Sequence, residues 1–254
     1  MEKTMITAHS GCEGTLMDSM ESVDRAMDLK ADAIEMDVRR TEDGFLYVSH
    51  DRQSNEAAQE KVSLESVFEK IKDTTLKFNC DIKETMAIPD VLMMGKKYGF
   101  GPDRLILTGA VSLDLLANEP GITENAAVYL NLEEMLKFLY LQKLSVDQYR
   151  GSFDGLMKKP DPFVQDMELD EACVTALIGM MKALRVRGIN MPHRLLNQAL
   201  TDRIHGEGLE CSVFTVNEAE HIDRCLSYGV ENITTKTPAC ALERRCLAAG
   251  GQTC

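Results

Sequence analysis

The feature that most constrains this chain is an eightfold alternation. Short runs rich in β-branched and aliphatic residues are separated by longer amphipathic stretches, a pattern that makes strands pair in parallel through crossover helices. The runs fall at residues 5–8, 33–38, 77–82, 104–107, 127–130, 186–189, 212–216 and 232–234. Met20, Val23 and Met27 recur at helical spacing within 19–30, as do Leu64, Val67, Phe68 and Ile71, so both stripes should face the sheet. Residues 195–205 read as a helix stopped by Gly206-Glu207-Gly208 before the next strand. A hairpin over 38–48 turns at Glu42-Asp43-Gly44, and its returning arm ends at His50. In 254 residues this pattern predicts an α/β fold, a (β/α)8 TIM barrel with a closed, parallel, eight-stranded sheet and outer helices, in a single domain over 1–254. The stretch 131–184 is too long for one crossover helix and is broken at Lys159-Pro160-Asp161-Pro162, so an extra loop or subdomain is expected within 132–184.

With 41 acidic against 28 basic residues the formal charge is −13, and no dense Lys/Arg cluster reverses it locally, which argues against a nucleic-acid partner. No run reaches the roughly 18 to 20 apolar residues of a membrane span, and the first residues lack the layout of a secretory signal. A soluble, cytoplasmic chain is therefore expected. The eight cysteines contain no C-x-x-C pair, so reduced thiols are expected and not a zinc or disulfide framework.

Four short motifs sit where strands are predicted to end: His9-Ser10-Gly11, Glu35-Met36-Asp37, His50-Asp51 and Asp81-Ile82-Lys83. Residues i and i+2 of a strand share a face, so Glu35 points with Asp37 and Asp81 points with Lys83. In such barrels the strand ends form the C-terminal rim, where active sites lie. Three carboxylates gathered there repel one another unless a cation compensates them. All-oxygen ligation favours one hard divalent ion, Mg²⁺ or Ca²⁺, held by Glu35, Asp37 and Asp81, which would polarise a phosphoryl oxygen. His9 and His50 then serve as general acid and base, and Lys83 neutralises a phosphate oxygen. His193, His205 and His221 lack acidic pairs at strand spacing and read as surface residues.

These residues resemble a known family. Ala8-His9-x-Gly11, the run from Ala31 to Arg39, Asp43-Gly44 and Val48-Ser49-His50-Asp51 are similar to the N-terminal signature of glycerophosphodiester phosphodiesterases. Asn79-Cys80-Asp81-Ile82-Lys83 looks like that family's N-x-E-x-K strand, and Phe214-Thr215-Val216-Asn217 with Thr234 through Pro238 like its last two strands. The resemblance implies hydrolysis of a small-molecule glycerophosphodiester to an alcohol and glycerol 3-phosphate, with attack by the glycerol 2-hydroxyl and a cyclic intermediate that water opens. It matches His9 and His50 to the acid/base pair, Glu35, Asp37 and Asp81 to the metal ligands, and Lys83 to a phosphate-site lysine.

Departures from the family pattern bear on activity. His-Arg-Gly is here His9-Ser10-Gly11, which removes a guanidinium able to grip phosphate bidentately. Pro-Glu-Asn-Thr is read as Leu16-Met17-Asp18-Ser19, with loss of a rim carboxylate, and an acid near the end becomes Lys236, which would restore charge beside Ser10 in the phosphate site. Asp81 in place of Glu shortens a ligand by one methylene, which a flexible Ca²⁺ site tolerates better than an Mg²⁺ octahedron. Too few residues separate His50 from Leu64 for the family's small capping insertion, so the rim should be open. Three other readings stay in view: a weakened barrel that binds a phosphodiester or phosphate without turnover, a lyase that stops at a cyclic phosphate, and a decarboxylase or aldolase barrel using Asp81 and Lys83. Oligomeric state is left open.

Overall fold

The computed structural model describes residues 3–141, 169 and 171–250. Among the described residues nine strands form: β1 (Met5–His9), β2 (Ala33–Arg40), β3 (Leu46–Val48), β4 (Lys77–Ile82), β5 (Leu105–Gly109), β6 (Ala127–Asn131), β7 (Gly188–Pro192), β8 (Glu210–Phe214) and β9 (Asn232–Thr235). Their order is β1-β9-β8-β7-β6-β5-β4-β2, and β2 returns to β1 to close a barrel of eight parallel strands. The short β3 pairs antiparallel with the end of β2, Val38 opposite Val48, as the hairpin reading predicts. Gly44 turns it at φ 96°, a left-handed conformation that glycine adopts without a Cβ clash. The described α-helices are α1 (Met20–Asp28), α2 (Asn55–Ala58), α3 (Leu64–Ile71), α4 (Ile88–Lys97), α5 (Leu113–Asn118), α6 (Gly121–Asn125), α7 (Leu132–Leu141), α8 (Glu171–Ala183), α9 (Gln198–His205), α10 (Ala219–Tyr228) and α11 (Pro238–Ala248).

The pleat sorts side chains into two environments. Ile34, Met36 and Val38 of β2, Phe78 and Ile82 of β4, and Leu105 and Leu107 of β5 are fully buried in one continuous cluster with the helices' Val23, Val67, Phe68 and Ile71. Each such side chain contributes roughly 1.5–3 kcal/mol by leaving water. Alternate positions face the barrel axis, where Ile106, Ala127 and Tyr129 make a separate small apolar layer backed by Met5. Above that layer the interior is polar. Thr7 Oγ1 donates to Asn232 Oδ1 at 2.6 Å, Asn232 Nδ2 to Ser212 Oγ at 2.9 Å, Ser212 Oγ to Asn190 Oδ1 at 2.9 Å and Asn190 Nδ2 to Asn131 Oδ1 at 2.8 Å. Paired in this way, the amides avoid the cost of burial without partners.

Hydroxyl caps start the helices that follow the rim loops. Ser19 accepts from Ser22 N at the head of α1, and Ser63 from Ser66 N at the head of α3. The β1–β2 seam is tied from outside: Asp32 Oδ2 accepts from Ile6 N at 2.8 Å and pairs with Arg245 of α11, whose guanidinium also donates to Thr4 O at 2.6 Å.

Some expectations are corrected. The helix read over 195–205 starts later, at Gln198, and ends at His205 as expected, with Gly208 at φ 72° making the turn. Within the long 132–184 stretch, α7 and α8 occupy the ends, and the extra loop or subdomain expected there falls largely on 142–168, outside the described residues. Cys12, Cys80, Cys173, Cys211, Cys225 and Cys240 are free thiols, whereas Cys246 is disulfide-bonded. Among the described residues no helix is long and apolar enough to cross a membrane.

Candidate active site

Register decides which side chains meet at the rim. His9 stands opposite Glu35 across β1 and β2, and Asp37 stands opposite Asp81 across β2 and β4. One carboxylate oxygen from each of Glu35, Asp37 and Asp81 lies within 4.8 Å of the others. Glu35 and Asp37 are each 4 % exposed. Charge of one sign at such burial raises proton affinity, and Glu35 is pushed well above the ordinary carboxylate range, first by desolvation and then by Asp81 and Asp37. Burial also raises Asp81, against the pull of Lys83.

The Lys83 ammonium lies 2.6 Å from Asp37 Oδ1 and 2.8 Å from Asp81 Oδ2. Burial disfavours its charge, but the two carboxylates outweigh that and raise its proton affinity. Glu35 Oε2 has no such partner. It is buried without a hydrogen bond among the described residues, and the nearest cationic candidate, His9 Nδ1, stands off at 3.6 Å. An orphaned, inward-facing carboxylate oxygen beside two further carboxylates fits a hard divalent cation.

His9 is held by its own loop. Nδ1 lies 2.7 Å from the carbonyl of Ser10, which can only accept, so Nδ1 carries the proton and Nε2 keeps its lone pair when the ring is neutral. Burial lowers the pKa of His9 and Lys236 lowers it further, against the lift from the Ser10 carbonyl, Asp37 and Asp18. His9, Glu35, Asn79, Asp81, Thr108, Asn131, Asn190, Phe214, Thr215 and Thr234 line a cavity of about 60 Å³ at the barrel mouth.

His50 lies outside that cavity and is well exposed, its Nδ1 3.0 Å from Asp51 Oδ1. It is nonetheless tied to the His9 loop through Asp18. Asp18 Oδ2 accepts the His50 N–H at 2.9 Å, Asp18 Oδ1 accepts from Ser10 Oγ at 3.0 Å, and Ser49 N donates to Asp37 O at 3.0 Å. This corrects the expected loss of a rim carboxylate, because Asp18 supplies one. Ser10 is fully buried and spends its hydroxyl on Asp18. Lys236 is half-buried, its N–H bound to Asn217 Oδ1 at 2.8 Å, and it acts on His9 through its charge. The segment between His50 and Leu64 holds little beyond the single-turn α2, so nothing there builds a cap.

Of the other histidines, His193 is not the surface residue expected. His193 is 6 % exposed, with Nδ1 unbonded among the described residues and its ring centroid 4.9 Å from that of His221; burial first, then His221, lowers its pKa to about 4. His205 pairs with Glu231 at 3.1 Å. Loop and helix positions carry no period-2 signal, so sequence spacing could not find Asp18 or the burial of His193.

Fold and rim define the class, a TIM barrel with an acidic mouth bordered by imidazole. A profile of the glycerophosphoryl diester phosphodiesterase family matches residues 9–99. A glycerophosphodiester phosphodiesterase of Caldanaerobacter subterraneus subsp. tengcongensis is 26% identical over 252 residues, covering 93% of this chain and 95% of the relative. One from Bacillus altitudinis is 24% identical over 248 residues, covering 95% and 98%. Among solved structures, an Oleispira antarctica phosphodiesterase in complex with the product sn-glycerol-3-phosphate superposes with a TM-score of 0.68 at 13% identity, covering 95% of this chain and 96% of that one, a likeness of fold. Over residues 9–99 the chain matches the glycerophosphoryl diester phosphodiesterase family, and along nearly its whole length it is similar to two such enzymes.

Proposed function

We propose that this single-domain barrel is a phosphoric diester hydrolase that cleaves a glycerophosphodiester to an alcohol and glycerol 3-phosphate. Glu35, Asp37 and Asp81 would hold one Mg²⁺ or Ca²⁺, with His9 and His50 as proton carriers. The observation that carries this reading is Glu35 Oε2, buried and unbonded among the described residues and within a few ångströms of two more carboxylates. The bound ion supplies positive charge for a phosphoryl oxygen. His9, neutral near pH 7 and with Nε2 free, takes the proton of the attacking hydroxyl. His50, steadied by Asp51 and Asp18, gives a proton to the leaving alcohol oxygen, and the two exchange roles when water opens the cyclic ester.

Lys83 remains charged and is the side chain suited to a non-bridging oxygen, since an ion held by Asp37 and Asp81 would leave its ammonium available. Ser10 serves by anchoring Asp18, and Lys236 by keeping His9 neutral. Because Ser10 has replaced a guanidinium, a barrel that grips phosphate but turns it over weakly is the second reading. Release of glycerol 3-phosphate from a panel of glycerophosphodiesters decides between them. Hydrolysis abolished by EDTA, restored by Mg²⁺ or Ca²⁺ and lost by about 10²- to 10⁴-fold in His9→Ala supports the enzyme. Chelation without effect removes the metal, and binding with no turnover across the panel leaves the binding module.

A further inference from the structure

At the opposite end of the barrel, three side chains of mixed donor type converge. His205 is the last residue of α9, Cys211 lies one residue into β8, and Glu231 immediately precedes β9. A ring nitrogen of His205, Cys211 Sγ and a carboxylate oxygen of Glu231 all lie within 4.8 Å of one another. We propose that His205, Cys211 and Glu231 form a second cation site, for a borderline-soft ion of the Zn²⁺ type, distinct in position and chemistry from the all-oxygen rim site.

The donors decide the ion class. Thiolate, imidazole and carboxylate together match Zn²⁺ or Co²⁺, whereas Mg²⁺ and Ca²⁺ take oxygen alone. Tetrahedral zinc with bonds of about 2.0–2.3 Å sets its ligands roughly 3.3–3.8 Å apart, so the three atoms need to close by roughly 1.0–1.5 Å at most. Backbone contacts already fix the frame. Glu231 N donates to Cys211 O at 3.0 Å, Glu231 O accepts from Met5 N at 2.8 Å, and Glu231 Oε2 accepts the Cys211 N–H at 2.7 Å. The imidazole already meets the carboxylate, with Nε2 3.1 Å from Oε1 and 3.2 Å from Oε2. Cys211 is fully buried, while the His205 and Glu231 side chains are 31 % and 29 % exposed, so an ion can enter from solvent on their side and keep a water as fourth ligand.

Without an ion, burial first and then the charges of Glu231 and Glu210 hold the Cys211 thiol protonated. A dication reverses that balance. Binding breaks the Cys211 S–H bond and the His205 Nε2–H bond that faces Glu231, forms sulfur–metal and nitrogen–metal bonds, leaves the neutral imidazole protonated at Nδ1 and passes the thiol proton to buffer. The site would then clamp α9 to β8 and to the entrance of β9.

The test is titration of the metal-free full chain with Co²⁺, then Zn²⁺, in the unaltered protein and in a Glu35→Gln/Asp81→Asn variant that cripples the rim. The expected result in both is one equivalent of Co²⁺ giving a thiolate charge-transfer band in the near ultraviolet, displaced by Zn²⁺. Calorimetry in buffers of differing ionisation enthalpy should show about one proton released. Cys211→Ser should lose the band. Because Cys211 lies in the core, His205→Ala, at a partly exposed helix end, gives the independent check, with affinity lowered at least about tenfold. No thiolate band in the rim variant, or a band that persists in Cys211→Ser, or one of unchanged affinity in His205→Ala, overturns the site.

Discussion

Asp18 links the two candidate proton carriers, since one of its oxygens binds the buried Ser10 hydroxyl and the other the His50 N–H. It does so at φ 52°, a left-handed conformation that costs an ordinary residue of order 1 kcal/mol and persists only where neighbours hold it. Removing the carboxylate in Asp18→Ala should free the His50 loop and lower kcat by about 10- to 100-fold, with a smaller change in KM, while Asp18→Asn, which keeps an acceptor oxygen, loses less. Steady-state kinetics on both variants check this, and equal losses in the two would assign Asp18 a role through charge alone. His193 makes a second prediction, about stability. Its folded-state pKa of about 4 lies below the ordinary 6.5, so the unfolded chain binds more protons between those values and stability falls as pH drops through that window. The full effect is about 3 kcal/mol by pH 4, and His193→Gln should flatten the acid limb of a urea-unfolding series run from pH 7 to 4. Neither residue was legible beforehand. Glu35, Asp37 and Asp81 were, because two-residue spacing on a buried strand fixes direction, whereas the placement of Asp18 and His193 depends on loops meeting in three dimensions.

Strand β5 ends on Gly109, and this ending positions part of the site. A Cβ there would collide with Asp81 Oδ1 and the Ile82 backbone, and its φ of 79° already favours glycine. Gly109→Ala should therefore displace Asp81, with a loss of about 1–3 kcal/mol in stability and at least tenfold in divalent-dependent turnover; a variant with unaltered metal dependence would mean the strand end moves and the carboxylate does not. Hydrophobic runs located all eight barrel strands, and most of their bounds differ from the readings by a residue or two. The largest shift is the end of β7, at Pro192 instead of residue 189, and two strand starts move at the barrel's far end. Strand β8 begins at Glu210 instead of residue 212, and β7 at Gly188 instead of 186. Glu210 accepts the Tyr129 hydroxyl and pairs with Arg187 at 3.0 Å, so a carboxylate opens a strand because Tyr129 of β6 and Arg187, just before β7, satisfy it. Gly188 fits because a Cβ would strike the Glu210 backbone. Such pairings join residues distant in sequence, and local propensity cannot register them.

For the whole molecule, the rim is a place where stability and ion binding oppose each other. Glu35, Asp37 and Asp81 bring three carboxylates against one lysine, and Lys83 touches only two of them. The uncompensated member is Glu35, whose raised proton affinity measures its desolvation and the repulsion from Asp81 and Asp37. A fold that keeps such a group without an ion is less stable than one with a neutral isostere. In EDTA, Glu35→Gln should be more stable than the unaltered chain by about 1–3 kcal/mol, the usual cost of one unsatisfied buried polar group. Added Mg²⁺ or Ca²⁺ at a hundredfold over its Kd should stabilise the unaltered chain by about 2.7 kcal/mol, raising Tm by roughly 5–10 °C for a chain of this size. Glu35→Gln should start higher and respond little. Thermal unfolding in EDTA and across a Mg²⁺ series separates the two curves: if they rise in parallel, the ion binds away from Glu35, and the buried carboxylate is held by the barrel for its own sake.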